Sequence, residues 1–233
     1  LPRGDTLMAH TSYRVMALLA DPDPSRPLNI AKELGNIQTA LEQSRHEFKF
    51  IIHPTRSNLE QAIIGGYDIL HISSHGHEDG IFLHGPRDED IEFMSLDALA
   101  KLASGKVQCI ILNACWSSAI GTRRAMKVPY TIAMNETIAD PAAIDYSLAF
   151  YRALAVGHEI PDCHDHACLC TSTRHTDFSP VLLRDRSCAL GIRSFVPDAE
   201  HLPEITEALL TLDSSFRGRL PAPPHTWASI TSE

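Results

Sequence analysis

The chain lacks clustered basic charge and long apolar runs, and each absence removes a class of function. Lys and Arg number 20 against 29 Asp and Glu, for a formal charge of −9, and the longest basic cluster is the pair Arg123-Arg124. Nucleic acid and anionic membrane are therefore not expected partners. No uninterrupted apolar stretch of about 18 residues occurs, so nothing reads as a membrane-spanning helix. The first residues also lack the cationic and apolar blocks of a secretory signal peptide, which makes the cytoplasm the expected location. Phosphate-binding GxxxxGK loops, a GxGxxG after a strand and a GxSxG elbow are all missing, so NTPase, dinucleotide-binding and serine hydrolase chemistry have no support. There is no internal repeat and no low-complexity block.

What is present is enough for a full core: 233 residues, 44% of them hydrophobic, predict one large domain over residues 1–213. The segment 214–233, with its "RLPAPPHTW", reads as an irregular, proline-rich tail. The chain opens on Leu1 rather than methionine, so a longer protein is expected, with a regulatory domain or subunit upstream of residue 1. The six cysteines are Cys109, Cys115, Cys163, Cys168, Cys170 and Cys188. A chain of this length and apolarity needs no disulfide staples, and free thiols are expected.

Apolar runs rich in β-branched residues fall at 13–20, 48–53, 67–73, 107–112, 130–134 and 181–184, and segments of helical spacing lie between most of them. Several runs, such as "VQCIILNA", are apolar on both faces, as in the central strands of a covered parallel sheet. The fold expected is α/β, a doubly wound and mostly parallel sheet flanked by helices. Asn29 is placed to cap "IAKELGNIQTALEQSRHEF", Ser95 to cap "LDALAKLAS", and Asp140-Pro141 to open a helix ending at Gly157. The connection "HEDGIFLHGPRDEDIEF" instead predicts a small hairpin after the third strand.

In such sheets the loops that meet a ligand gather at the carboxyl ends of the strands. The third strand, "YDILHIS", delivers Ser74-His75-Gly76 there, and the fourth, "VQCIILNA", delivers Cys115. If the two strands are neighbours, His75 and Cys115 share one cleft. A cysteine nucleophile needs a group to accept its proton and return one to a leaving amine, which an imidazole can do. The N–H groups of Gly76 and Cys115 are available as donors to a tetrahedral oxyanion.

The residues carrying these roles bear a family resemblance. "LHISSHG", followed by "IILNACWSS" with Cys115 40 positions after His75, and then "VPYTIAMNETIADPAAIDYSLAFYRALAVG", resembles the CHAT branch of the caspase-like cysteine peptidases over roughly residues 13–195. The resemblance implies a caspase-like α/β/α sandwich and a His75–Cys115 dyad, with Gly76 at the oxyanion hole. It implies a protein substrate and no cofactor. Two positions before the nucleophile, caspases carry glutamine and basic-specific relatives aspartate; here Asn113 stands at that place. Asp21, Asp23, Glu136 and Asp140 on strand-end loops are further candidates for lining a substrate pocket, with Arg26 close to the first two. A basic or neutral residue before the cut is expected.

The remaining histidines and thiols have blander readings. His71 sits mid-strand and reads as a structural core histidine, while His77 and His84 flank the hairpin. Cys109 reads as a small buried hydrophobe. "CHDHACLC" (163–170) carries five potential zinc ligands, too close together to wrap one tetrahedral ion, and no second CxxC-type half exists, so a polar helix with incidental thiols is expected. Two rival readings remain open: a non-catalytic interaction module of the same fold, and a zinc- or redox-responsive domain centred on that segment.

Overall fold

Continuous apolar character is tolerated only in strands covered on both faces, and that condition sorts the segments of this chain. The computed structural model describes residues 12–87, 90–114, 128–134, 140–175 and 180–185, all within one unit, Leu1–Leu190. In chain order its elements are β1 (Arg14–Leu19), α1 (Ile30–Leu41), β2 (Glu47–Ile52), α2 (Arg56–Ile64), β3 (Ile69–Ser73), β4 (Gly76–His77), β5 (Gly80–His84), β6 (Ile91–Ser95) and α3 (Leu96–Ala103). Then follow β7 (Cys109–Asn113), β8 (Tyr130–Met134), α4 (Asp140–Ala155), α5 (Ile160–Ser172) and β9 (Pro180–Arg184). The expected tail, 214–233, lies outside the described residues.

Six strands form the main sheet in the order β2-β1-β3-β7-β8-β9. The first five are parallel, and β9 runs antiparallel to β8. This is the doubly wound, mostly parallel α/β sheet that the apolar runs imply. Each core strand presents one set of side chains to α2 and α3, as Leu18, Leu70, Ile72, Ile110 and Leu112 do beside Leu59, Ile63 and Leu99. The other set meets α1, α4 and α5, where Val15, Ile69, Ile111 and Ile132 pack with Ile37, Phe150, Tyr151 and Cys163. Each fully buried Leu, Ile or Phe contributes roughly 1.5–3 kcal/mol, so the two apolar layers dominate the fold energy.

Helix starts follow the capping residues. Asn29 Oδ1 accepts from Lys32 N at 3.2 Å, and Ser95 Oγ accepts from Ala98 N at 3.2 Å. One expectation is corrected. The first helix stops at Leu41 instead of running on through "EQSRHEF". Ser44 donates to Leu41 O from both its N–H (2.9 Å) and its hydroxyl (2.7 Å), and Glu47 and Phe48 are drawn into β2. The hairpin expected after β3 is the antiparallel pair β5-β6, and β4 adds a third, short strand to it. Gly80 is required there because a Cβ would run into Met94 O and the Phe93 ring. The return from β8 to β9 uses the helix opened by Asp140 and the polar helix expected at "CHDHACLC", and β9 then enters the sheet reversed.

β1 lies between β2 and β3, so the chain runs outward to β2 and then crosses back past β1 to build the rest of the sheet. The β1/β3 boundary is the topological switch point, where the connections part and leave a crevice. β1 runs into Asp21 and β3 into His75.

Candidate active site

β3 ends at Ser73 because the next residues are taken into a different set of bonds. Ser74 donates from its hydroxyl to His75 O (2.9 Å) and to Phe82 O, and Phe82 N–H donates to His75 O at 3.1 Å. The backbone of His75 is thereby tied to β5. Gly76 is half-buried at the start of β4, paired with Ile81.

The His75 side chain is 12% exposed, and its Nε2 lies 3.5 Å from Asp21 Oδ1. Neither atom makes a hydrogen bond among the described residues. That separation is just beyond a good hydrogen bond. Asp21 is held in turn by His84, whose Nε2 accepts from the Asp21 N–H at 3.3 Å. The His84 ring packs on His53, with centroids 4.6 Å apart. His77, by contrast, is exposed.

β3 and β7 are parallel neighbours, with Ser73 opposite Asn113. The condition for a shared His75–Cys115 cleft, adjacency of the two strands, is therefore met. Cys115 itself, two residues beyond Asn113, lies outside the described residues, as do Trp116, Ser117, Ser118, Glu136 and Cys188.

Other candidates sit in distinct surroundings. Asp140 opens α4, and its Oδ2 accepts from Asn29 N at 3.0 Å, joining the starts of α1 and α4. Burial, and then the nearby carboxylates of Glu33 and Asp21, hold its carboxyl above the ordinary value. Asp23 turns away: it accepts from Ser25 Oγ at 2.6 Å and pairs with Arg26 at 2.8 Å, and these bonds lower its carboxyl to about 2. Asn113 points its amide nitrogen at Glu33 Oε1, 2.5 Å away. Its Oδ1 is buried with no hydrogen-bond partner among the described residues.

Glu33 and Ser147 escaped the sequence reading. Glu33 Oε1 accepts from His71 Nε2 at 3.0 Å and from Ser147 Oγ at 2.8 Å as well as from Asn113. Burial works to raise this carboxyl, but the hydrogen bonds and the His71 ring bring it below its ordinary value. The signal was present: Glu33 interrupts the apolar stripe Ile30, Leu34, Ile37 and Leu41, and an acid on a buried face requires partners.

"CHDHACLC" forms most of α5. Burial pushes the Cys163 thiol up to about 12 and the Cys168 thiol up to about 11. His164 Nε2 lies 3.4 Å from Cys168 Sγ, and His166 Nε2 lies 3.5 Å from Cys170 Sγ. Among the described residues no group of three or more His, Cys, Asp or Glu is placed to hold a metal ion. No helix among them is long and apolar enough to cross a membrane.

Residues 11–232 match the CHAT domain family, nearly the whole chain. The chain belongs to the CHAT domain family. Among solved structures this CHAT domain is similar to the Arg specific cysteine proteinase gingipain R, at 12% identity and a TM-score of 0.51, over 70% of this chain and 43% of that one. It is likewise similar to a secreted C11 cysteine protease from Bacteroides thetaiotaomicron, solved with an irreversible peptide inhibitor, at 10% identity and a TM-score of 0.51, over 71% of this chain and 59% of that one. At these identities the likeness establishes the fold, which is caspase-like. The CHAT domain spans about half the length of these two proteins, 43% and 59%. No curated protein matches it in sequence.

Proposed function

We propose that this CHAT domain is a caspase-like cysteine endopeptidase, with Cys115 as nucleophile and His75 as general base and then general acid. The observation that carries this reading is the placement of His75. It lies at the switch point, with its ring nearly buried and its Nε2 directed at Asp21 Oδ1 3.5 Å away, on the strand that neighbours the one running into Cys115. With Nε2 facing a carboxylate, Nδ1 is the nitrogen left to take the Cys115 proton. The thiolate sulfur then bonds to the scissile carbonyl carbon, and the oxyanion is met by the N–H groups of Gly76 and Cys115. Collapse of the intermediate breaks the C–N bond as His75 returns the proton to the leaving amine, and water hydrolyses the thioester by the reverse proton route.

The carboxylates of Asp21 and Asp140 at this edge favour a basic or neutral side chain before the cut over an acidic one. Arg26 offsets Asp23, not these two. Activity is proposed to be gated by a regulatory domain or subunit of a longer protein, acting on the strand-end loops.

A peptide library cleaved by wild type, Cys115→Ala and His75→Ala tests the reading. Each variant is expected to lose at least about 10³-fold in turnover with its melting temperature retained. A thiol-reactive peptidyl probe is expected to label Cys115 in wild type. Cleavage that survives Cys115→Ala in a clean preparation would remove the dyad.

A further inference from the structure

Glu33 is an acid in a place where only an apolar side chain would be expected. It is 2% exposed, on the face of α1 that packs against the sheet. A carboxylate is tolerated there only if its neighbours all donate, and they do. His71 Nε2, Asn113 Nδ2 and Ser147 Oγ lie 3.0, 2.5 and 2.8 Å from Oε1. An ionised carboxylate is acceptor-only, so it can satisfy this set, whereas an amide would turn an NH2 against one of the donors.

The donors are not scattered. His71 belongs to β3, Asn113 to β7 and Ser147 to α4. Ser73 and Asn113 are the last residues of their strands and face each other in register. His75 follows Ser73 by two residues, and Cys115 follows Asn113 by two. The backbone ladder is already thinning here, since the bond from Ser74 N–H to Asn113 O is long at 3.3 Å. Side-chain ties therefore take over where backbone pairing ends.

We propose that Glu33 is a positioning residue: from α1 it ties together the carboxyl ends of β3 and β7, and so sets how His75 and Cys115 leave the sheet. The inference rests on the peptidase reading for its consequence in catalysis, and on the hydrogen-bond geometry alone for the tie itself. A misplacement of about 1 Å between reacting groups can cost on the order of 10²-fold in rate. The tie thus acts on kcat through geometry, without touching substrate.

The test compares wild type, Glu33→Gln, Ser147→Ala and His75→Ala in the intact chain by melting temperature, amide hydrogen exchange, alkylation of Cys115 by iodoacetamide with peptide mapping, and peptide hydrolysis. Glu33→Gln is expected to speed exchange at Ser73, Ser74 and Ala114 while leaving Ile132 protected. It is expected to slow Cys115 alkylation to the His75→Ala rate, and to lower kcat on the order of 10²-fold with KM within about twofold. Ser147→Ala, which removes one donor and preserves the carboxylate, is expected to move the same readouts by a smaller factor, and it decides the matter if Glu33→Gln does not fold. A variant that melts lower yet keeps wild-type kcat, Cys115 alkylation and strand-end exchange would show Glu33 to be merely structural and overturn the proposal. If wild-type Cys115 alkylates no faster than in His75→Ala, the dyad reading falls and takes the catalytic role of Glu33 with it, while exchange at Ser73 and Ala114 still reports whether the tie exists.

Discussion

Carboxylates at one edge of the sheet are held in opposite ways. Glu33 is pulled below its ordinary value by converging donors, Asp140 is lifted by burial and by its acidic neighbours, and Asp21 faces a histidine. Asp21 stands out in the sequence only as a strand-end acid suited to a pocket; the structure sets it against His75, which sequence spacing cannot reveal, because the two are joined only through the β1–β3 pairing. Asp21→Asn is expected to lower kcat about tenfold, a part of the 10²–10⁴-fold that positioned acid–base groups supply. KM and melting temperature are expected to stay near wild type, since Asp21 is not a core residue. An unchanged kcat would leave Asp21 as a lining residue only. The Cys163 and Cys168 thiols of α5 are predicted to be inert. With values of about 12 and 11, roughly one Cys163 in 10⁴ and one Cys168 in 10³ is a thiolate at pH 8. Iodoacetamide is therefore expected to spare both in the folded protein, and Cys163→Ser and Cys168→Ser to leave peptide hydrolysis unchanged.

At the scale of elements, local chemistry starts the helices and packing gives them their energy. Asn29 caps α1, and Asn29→Ala is expected to cost about 1 kcal/mol in chemical denaturation. Its backbone N–H bond to Asp140 survives that change. α4 is different, because it lies against both α1 and α5 and carries the fully buried Tyr146, Phe150 and Tyr151. Phe150→Ala is expected to cost about 3–5 kcal/mol, several times the cap, so packing outweighs capping in placing the helix that holds Ser147. A loss under about 1 kcal/mol would mean that α4 repacks freely. The cap residues Asn29 and Ser95 were readable because they act within four residues. The end of α1 was not, because strand pairing by Glu47 and Phe48 competes for the chain from 33 residues away in sequence.

For the whole molecule, buried titratable groups set how stability depends on pH. Burial chiefly holds His164 below its ordinary value, with Tyr146 OH 2.7 Å from its Nδ1. The unfolded chain therefore binds more protons than the folded one as pH falls through the ordinary histidine range, about 6.5, and stability drops there. Glu33, held low, contributes stability above the ordinary carboxylate range that is lost as pH falls through its depressed folded value. Asp140, held high, works in the opposite sense. Denaturation at pH 7.5, 6 and 4.5 is expected to show a first loss between 7.5 and 6 that His164→Asn removes. A first loss that persists in that variant would place its origin in another histidine.

The sequence by itself determined the strands of the main sheet, the starts of α1, α3 and α4 and the α/β class, because burial on both faces and capping are written in residues close together along the chain. It also singled out His75, since a polar residue at the end of an apolar strand is legible without knowing the sheet order. Only the tertiary structure decided that β1 and β3 are neighbours at the switch point, that β9 is reversed, and that Asp21 and His75 meet. It alone gathered Glu33, His71, Asn113 and Ser147 around one carboxylate oxygen. Those contacts join residues up to 114 positions apart, and their energy comes from removing charge and donors from water together, a condition that exists only once the sheet and its helices have closed over them.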